Sequence, residues 1–268
     1  MTLDRGGPRR GGPRQASPSR VLVVTGLAFE AAIARRCVDV DVLFGVGPAA
    51  AAALQARLQD TGPRPAGIVS FGTAGALDAL SQPGDCLLAR VVLEQIAPAS
   101  AGGAALSKTG ARDVRRHPVD AGWLERLAAA LPDAACVDFA GSAVPVVSAT
   151  QKHLLHVRTG AAAVDMESLA LARVAAAHGL PFVVCRVVID RASHTLPPAA
   201  LAGMHADGST RVLPVIASLL RDPTQLPSLL RLARDAGRAR RALTDLAHRM
   251  PPGFGVDPAF TTHAAQSS

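Results

Sequence analysis

Short apolar runs that stop on glycine and give way to alanine-rich stretches recur along the first half of the chain. This alternation restricts the fold more than any other feature. "RVLVVTGLAFEAAIA" reads as a buried strand at Val21–Val24, a turn at Thr25–Gly26 and a helix. "VDVLFGVGPAAAAALQARL" repeats the pattern through Gly45-Val46-Gly47. "PAGIVSFGTAGALD" supplies a strand running into a Gly72-Thr73-Ala74-Gly75 turn, and "GDCLLARVVLEQI" supplies another strand. Strands alternating with helices imply parallel pairings under helical layers. The expected fold is therefore α/β: a single three-layer domain with a central mixed, mostly parallel β-sheet flanked by helices and a helical C-terminal extension. Ligands bind such sheets beyond the carboxyl ends of the strands, so the glycine turns can share one edge.

The chain has 268 residues, 49% hydrophobic and 3% aromatic, with no Tyr. A core of Val, Leu, Ala and Ile suits a sheet buried under helices. No apolar run approaches the ~18–20 residues of a membrane span, and no apolar signal core opens the chain, so a cytoplasmic protein is expected. The four cysteines are isolated, and no His or Cys shows metal-ligand spacing, so buried reduced thiols and no metal are expected. The net charge of +7 gathers at the ends: residues 1–20 hold five Arg, and residues 211–250 hold eight Arg against three Asp. A near-neutral middle argues against a basic groove for nucleic acid.

Residues 1–19, rich in Gly, Pro and Arg, read as a disordered basic tail. The folded body covers 20–210, the helical extension 211–250, and a second disordered tail 251–268. Within the body, 97–120 reads as a loop, "WLERLAAALP" as a short helix, "SAVPVVSA" as a strand, and "AAAV" as a short strand before the helix of "DMESLALARVAAAHG". "LPFVVCRVVID" closes the series as a strand with Pro181 at its start.

The chemistry gathers in "AAAVDMESLALARVAAAHGLPFVVCRVVIDRAS". Asp165 in a first helical turn is often only a dipole partner. Glu167 follows a strand and projects toward the glycine edge, and Asp190 ends the next strand at that same edge. Capping would explain Asp190 as well if it stood alone. Carboxylates converging over a glycine floor point to work on a sugar and a heterocycle. One accepts from two ribose hydroxyls, and another, kept protonated by burial, donates to a leaving nitrogen. Glu30 lies four residues after Gly26, within reach of the same site. The Gly45–Gly47 turn is either an anion cradle or a tight turn, and it lacks the third glycine of a dinucleotide fingerprint. A dinucleotide-dependent oxidoreductase is thereby disfavoured. A nucleotide-binding module without catalysis leaves Glu167 and Asp190 without a purpose.

In this order, Gly26…Glu30, "GVGPAAAAAL", "SFGTAGALD", "GDCLLARVV" and "AVDMESLALARVAAAHGLPFVVCRVVID" resemble the nucleoside phosphorylase/nucleosidase superfamily over about Val21 to Ala192. "TGLAFEA", "AVDMES", "AAHGLPF", "LPPAAL" and "LLRDPTQLPSLLRLARDAG" are most similar to its hopanoid-associated phosphorylase branch. That likeness implies release of adenine from adenosylhopane, leaving ribosyl- or phosphoribosyl-hopane. The other implied reading is a hydrolytic nucleosidase for a soluble adenosine thioether such as methylthioadenosine or S-adenosylhomocysteine. The resemblance implies Asp190 as the acid near N7, Glu167 on the ribose hydroxyls and Met166 against the sugar. It implies Gly72, Thr73, Ala74 and Gly75 as the floor, and Gly45 and Gly47 at the phosphate or water site. Glu30 falls near the family's water-activating acid, though Phe29 and Ala31 flank it where nucleosidases carry further acids. Ser70 stands where phosphorylases often place a phosphate-binding Arg, with Arg35, Arg36 or a neighbouring subunit's Arg as substitutes. No organic cofactor is implied, inorganic phosphate is a candidate co-substrate, and the family forms homo-oligomers. Leu232, Ala236, Ala239, Leu243, Leu246 and Met250 share one helical face, with Arg231, Arg234, Arg238 and Arg241 largely off it. Packing on the protein is the favoured reading of that face. A peripheral contact with an anionic membrane at its inner face is the other, and Gly237 predicts a break in the helix.

Overall fold

The computed structural model describes residues 20–96, 114–198, 200, 218 and 221–257. The tail at 1–19 and the first part of the loop expected over 97–120 lie outside the described residues. Strands β1 (Val21–Thr25), β2 (Val40–Phe44) and β3 (Gly67–Ala76) pair in parallel, with β1 between the other two. Helices α1 (Ala28–Ala34) and α2 (Pro48–Gln59) connect them. This is the βα alternation expected from the glycine-punctuated runs.

The rest of the sheet curls. Strand β3 pairs in parallel with β8 (Phe182–Asp190), which pairs antiparallel with β4 (Cys86–Gln95). Strand β4 pairs with β6 (Ala135–Gly141), β6 with β7 (Ala163–Asp165), and β7 returns antiparallel to Gly75 and Ala76 of β3. These strands form a closed circuit, which removes unpaired edges around the end of β3. The expected mixed, mostly parallel sheet flanked by helices is therefore present and closes on itself. Helices α3 (Ala121–Ala130), α4 (Ala149–Thr159) and α5 (Ser168–Ala177) cover it.

Four local expectations differ. Gly72–Gly75 is not a turn but the end of β3, because β8 and β7 hydrogen-bond it from both sides. "SAVPVVSA" is loop, with Ser148 capping α4, since Pro145 has no N–H to give a ladder. Val114–Pro118, expected within a loop, is β5, an antiparallel partner of β4. Gly237 does not break the C-terminal helix, α6, which runs from Leu226 to Arg249.

Helix α6 packs on β8, burying Ala239, Leu243, Leu246 and Met250. The favoured reading of its apolar face holds for that half. Residues 251–257, expected with the disordered tail, dock instead. Phe254 is fully buried edge-on to Phe71, with centroids 5.6 Å apart, and its carbonyl accepts from Trp123 Nε1 at 2.7 Å. Residues 258–268 lie outside the described residues.

Candidate functional site

A cavity of about 450 Å³ opens at the carboxyl ends of β1, β3 and β8. Its floor is Thr73, Ala74 and Gly75, and its acids are Glu30, Asp165, Glu167 and Asp190, all 1–6% exposed.

Glu30 sits at the third position of α1. Its Oε2 accepts from the N–H groups of Gly26 and Leu27 at 3.1 and 3.0 Å, the half of a capping box that the leucine cap cannot reciprocate. Its Oε1 accepts from Thr73 N at 2.8 Å and Thr73 Oγ1 at 2.7 Å. Burial raises its pKa, with Arg186 opposing.

Glu167 Oε1 accepts from Gly47 N at 3.0 Å, and its Oε2 from Arg186 Nη2 at 3.2 Å. Burial pushes its pKa up to about 6 against the pull of Arg186. The Gly47 amide, expected near phosphate or water, is therefore spent on a carboxylate. Gly45 does not line the cavity. A Cβ there would lie 2.7 Å from the α2 backbone, so the tight-turn reading accounts for it. Gly72 is a spacer, because a Cβ would fall 2.5 Å from Glu30 Oε2 and 2.8 Å from Arg186 Nη1. Met166 lines the cavity beside Glu167.

Asp165 Oδ1 caps α5 by accepting from Glu167 N and Ser168 N at 3.2 and 2.8 Å. This agrees with its reading as a helix-start acid. Its other oxygen meets Ser168 Oγ and lies 3.1 Å from Arg186 Nε. That approach is outside hydrogen-bonding geometry, and Nε has no hydrogen-bond partner among the described residues.

Asp190 reaches the cavity through a bulge. Ala74 pairs with Val188 and Gly75 with Asp190, so Ile189 is the extra residue. The bulge lets Ile189 and Asp190 both face the cavity, which strict alternation along a strand forbids. Asp190 Oδ2 is bound by Lys152 Nζ. Burial raises the Asp190 pKa and Lys152 opposes the rise. The shift is upward, the direction expected of a buried acid, and Lys152 is a partner the sequence did not flag.

Two buried cations were not anticipated. Arg186, 1% exposed, gives Nη2 to Ser70 Oγ at 2.7 Å and Nη1 to Thr73 O at 3.3 Å besides its carboxylates. The signal was a charge inside the apolar run "VVCRVVI". Lys152 lies on α4, for which no helix was expected. Arg35 and Arg36 are exposed and do not line the cavity. His194 stays outside it and pairs with Asp235 at 3.7 Å.

The far wall is apolar: Val144, Pro145, Leu196, Leu229, Leu232 and Ala236. It joins the loop after β6 to the first half of α6, so Leu232 and Ala236 face the cavity rather than the core.

The family model described as Phosphorylase superfamily matches residues 20–221, and the chain belongs to that superfamily. No curated protein matches it in sequence. Among solved structures, it is similar to the S-adenosylhomocysteine nucleosidase of Streptococcus pyogenes in complex with 5-methylthiotubericidin. Identity is 16%, the match covers 88% of this chain and 99% of that one, and the TM-score is 0.57. The 5'-methylthioadenosine/S-adenosyl homocysteine nucleosidase of Helicobacter pylori matches at 14% identity over 87% and 99%, with a TM-score of 0.57. The futalosine hydrolase of the same organism matches at 14% over 84% and 97%, with a TM-score of 0.54. At these identities the likeness shows the shared fold.

Proposed function

We propose that this enzyme releases adenine from adenosylhopane by hydrolysis, leaving ribosylhopane. The observation that carries the reading is one cavity with acids over a backbone floor at one end and an apolar wall at the other. Glu167 takes the ribose 2′- and 3′-hydroxyls, and Met166 packs on the sugar. As the glycosidic bond stretches, the buried carboxylates stabilise the cationic ribose, and Asp190 passes a proton to the purine. A water beside Thr73 replaces its hydroxyl on Glu30 and loses a proton there as it attacks the anomeric carbon. The apolar wall receives the 5′ substituent, which favours a hydrocarbon over a charged amino acid.

Hydrolysis is favoured over phosphorolysis because the cations are already engaged. Arg186 is turned onto Asp165 and Glu167, and Lys152 onto Asp190. The test is adenine release from adenosylhopane, followed by chromatography, with and without inorganic phosphate. Equal release in both supports hydrolysis, whereas release only with phosphate makes the enzyme a phosphorylase. Cleavage of methylthioadenosine alone overturns the lipid substrate.

No helix among the described residues is long and apolar enough to cross a membrane. A lipid substrate instead calls for peripheral contact. Leu226 and Leu230, 46% and 49% exposed, stand on α6 beside the exposed Arg231 and Arg234, a pairing that suits an anionic surface. Loss of liposome flotation in Leu226→Ser/Leu230→Ser tests this, and unchanged flotation removes the membrane role.

A further inference from the structure

Lys152 is 1% exposed on α4, and its Nζ has three acceptors: Asp190 Oδ2, Arg191 O at 2.8 Å and His194 O at 3.1 Å. Three acceptors around one nitrogen match the three N–H groups of an ammonium. Facing an ammonium, Asp190 pairs as a carboxylate, and a carboxylate has no proton of its own to donate. Yet the departing base needs one. Asp190 lines the substrate cavity, and Lys152 stands behind it.

We propose that Lys152 supplies, through Asp190, the proton that the leaving purine takes up. The inference rests on the N-glycosidic cleavage proposed above. As the glycosidic bond breaks, its electron pair goes to the purine. One N–H bond of the ammonium breaks, the Asp190 carboxyl carries the proton across by turning about its Cβ–Cγ bond, and one N–H bond forms on the base. Lys152 is left as a neutral amine. The attacking water has meanwhile given a proton to Glu30, and exchange through solvent returns a proton to Lys152 when products leave. Lys152 acts through Asp190 and is a positioning residue in that sense.

The surroundings support a shared proton. Burial raises the Asp190 pKa, while Lys152 and then His194 lower it and Asp235 raises it. Asp235, on α6, lies 3.6 Å from Arg191 and 3.7 Å from His194. On α4 itself, His156 turns to Ala161 O, and both it and His153 line a separate cavity.

A structural alternative exists, because Lys152 also ties down the loop after β8. Lys152→Met and Lys152→Arg separate the two. Adenine release is followed across acidic to basic pH with adenosylhopane and with 5′-methylthioadenosine, and adenine binding by calorimetry. In Lys152→Met, Asp190 must bind its own proton, so kcat falls by roughly 10²–10⁴-fold at neutral pH and recovers as pH is lowered. Lys152→Arg keeps the ion pair but does not release its proton, so it is slow at every pH while still binding adenine. If Lys152→Met fails to fold, Lys152→Arg decides. A Lys152→Met rate that falls without moving its pH limb overturns the inference alone. So does a Lys152→Arg rate within about tenfold of wild type, short of what a general acid contributes. A wild-type protein that frees no adenine from either nucleoside overturns the parent reading, and this one with it.

Discussion

Replacing Arg186 with Met removes one cation from between two buried acids. Nε lies 3.1 Å from Asp165 Oδ2, Nη2 lies 3.2 Å from Glu167 Oε2, and all three side chains are under a tenth exposed. Breaking a buried pair from one side costs about 3–5 kcal/mol, because the other charge stays behind. Two carboxylates share the loss here, so the upper end applies. For a domain of this size that corresponds to a fall in Tm of roughly 10–20 °C. The pH dependence gives the sharper test. Burial pushes the Glu167 carboxyl up from the ordinary carboxylate range to about 6, with Arg186 opposing the rise. An acid raised on folding contributes stability that is full below the unfolded value and lost as pH rises through the folded one. Without Arg186 the folded value climbs further, so protonation relieves the variant over a wider range. The expected stability loss is large near about pH 8 and smaller near about pH 5.5. Urea unfolding of both proteins at the two pH values measures it. Equal losses at both, or a loss under about 1 kcal/mol at the higher pH, would refute the reasoning, since the lost cation would then leave no uncompensated buried charge.

Glu30→Gln should lower kcat by roughly 10²–10⁴-fold with adenine binding retained by calorimetry, as expected of a lost general base. Gly26→Ala places a Cβ 2.6 Å from Glu167 Oε1. If Glu167 binds the ribose as proposed, displacing that carboxylate loses a charged hydrogen bond of about 1.5–3 kcal/mol, seen as a roughly 10–150-fold rise in KM, together with a fall in thermal stability because the Arg186 pair is disturbed as well. Phe254→Ala empties a fully buried ring site against Phe71 and Trp123. It should cost about 3–5 kcal/mol in urea unfolding, which would show that the segment after α6 belongs to the core.

The layered α/β order was legible because each early strand is a short apolar run closed by glycine and followed by alanine-rich sequence. Glu30, Glu167 and Asp190 were legible because strand ends on one side of such a sheet converge. What was not legible depended on partners distant in sequence. Gly72–Gly75 reads as a turn until β8 and β7 are seen on either side of it. The bulge at Ile189 leaves no mark in "VVIDRAS", yet it is what brings Asp190 to the cavity. The polar "ATQKHLLHVRT" carries weak periodicity, so α4 and its Lys152 went unread. Gly237 signals a break that packing of α6 on β8 overrides, because tertiary burial outweighs the ~1 kcal/mol propensity cost of one glycine.

The buried cations also bear on which nucleophile the site accepts. At an effective dielectric of about 20, two unit charges about 4 Å apart interact by about 4 kcal/mol. A phosphate anion beside Glu30, Asp165 and Glu167 meets that repulsion several times over and needs cations free to answer it. Arg186 is committed, through Nη2 and Nη1, to Ser70, Glu167 and the Thr73 carbonyl. Turning it toward phosphate would leave those carboxylates buried and unpaired. Water carries no charge into the site and needs only an acceptor, which Glu30 offers beside the Thr73 hydroxyl. On the proposed reading, the same pairing that holds Glu167 therefore disfavours phosphate and favours water.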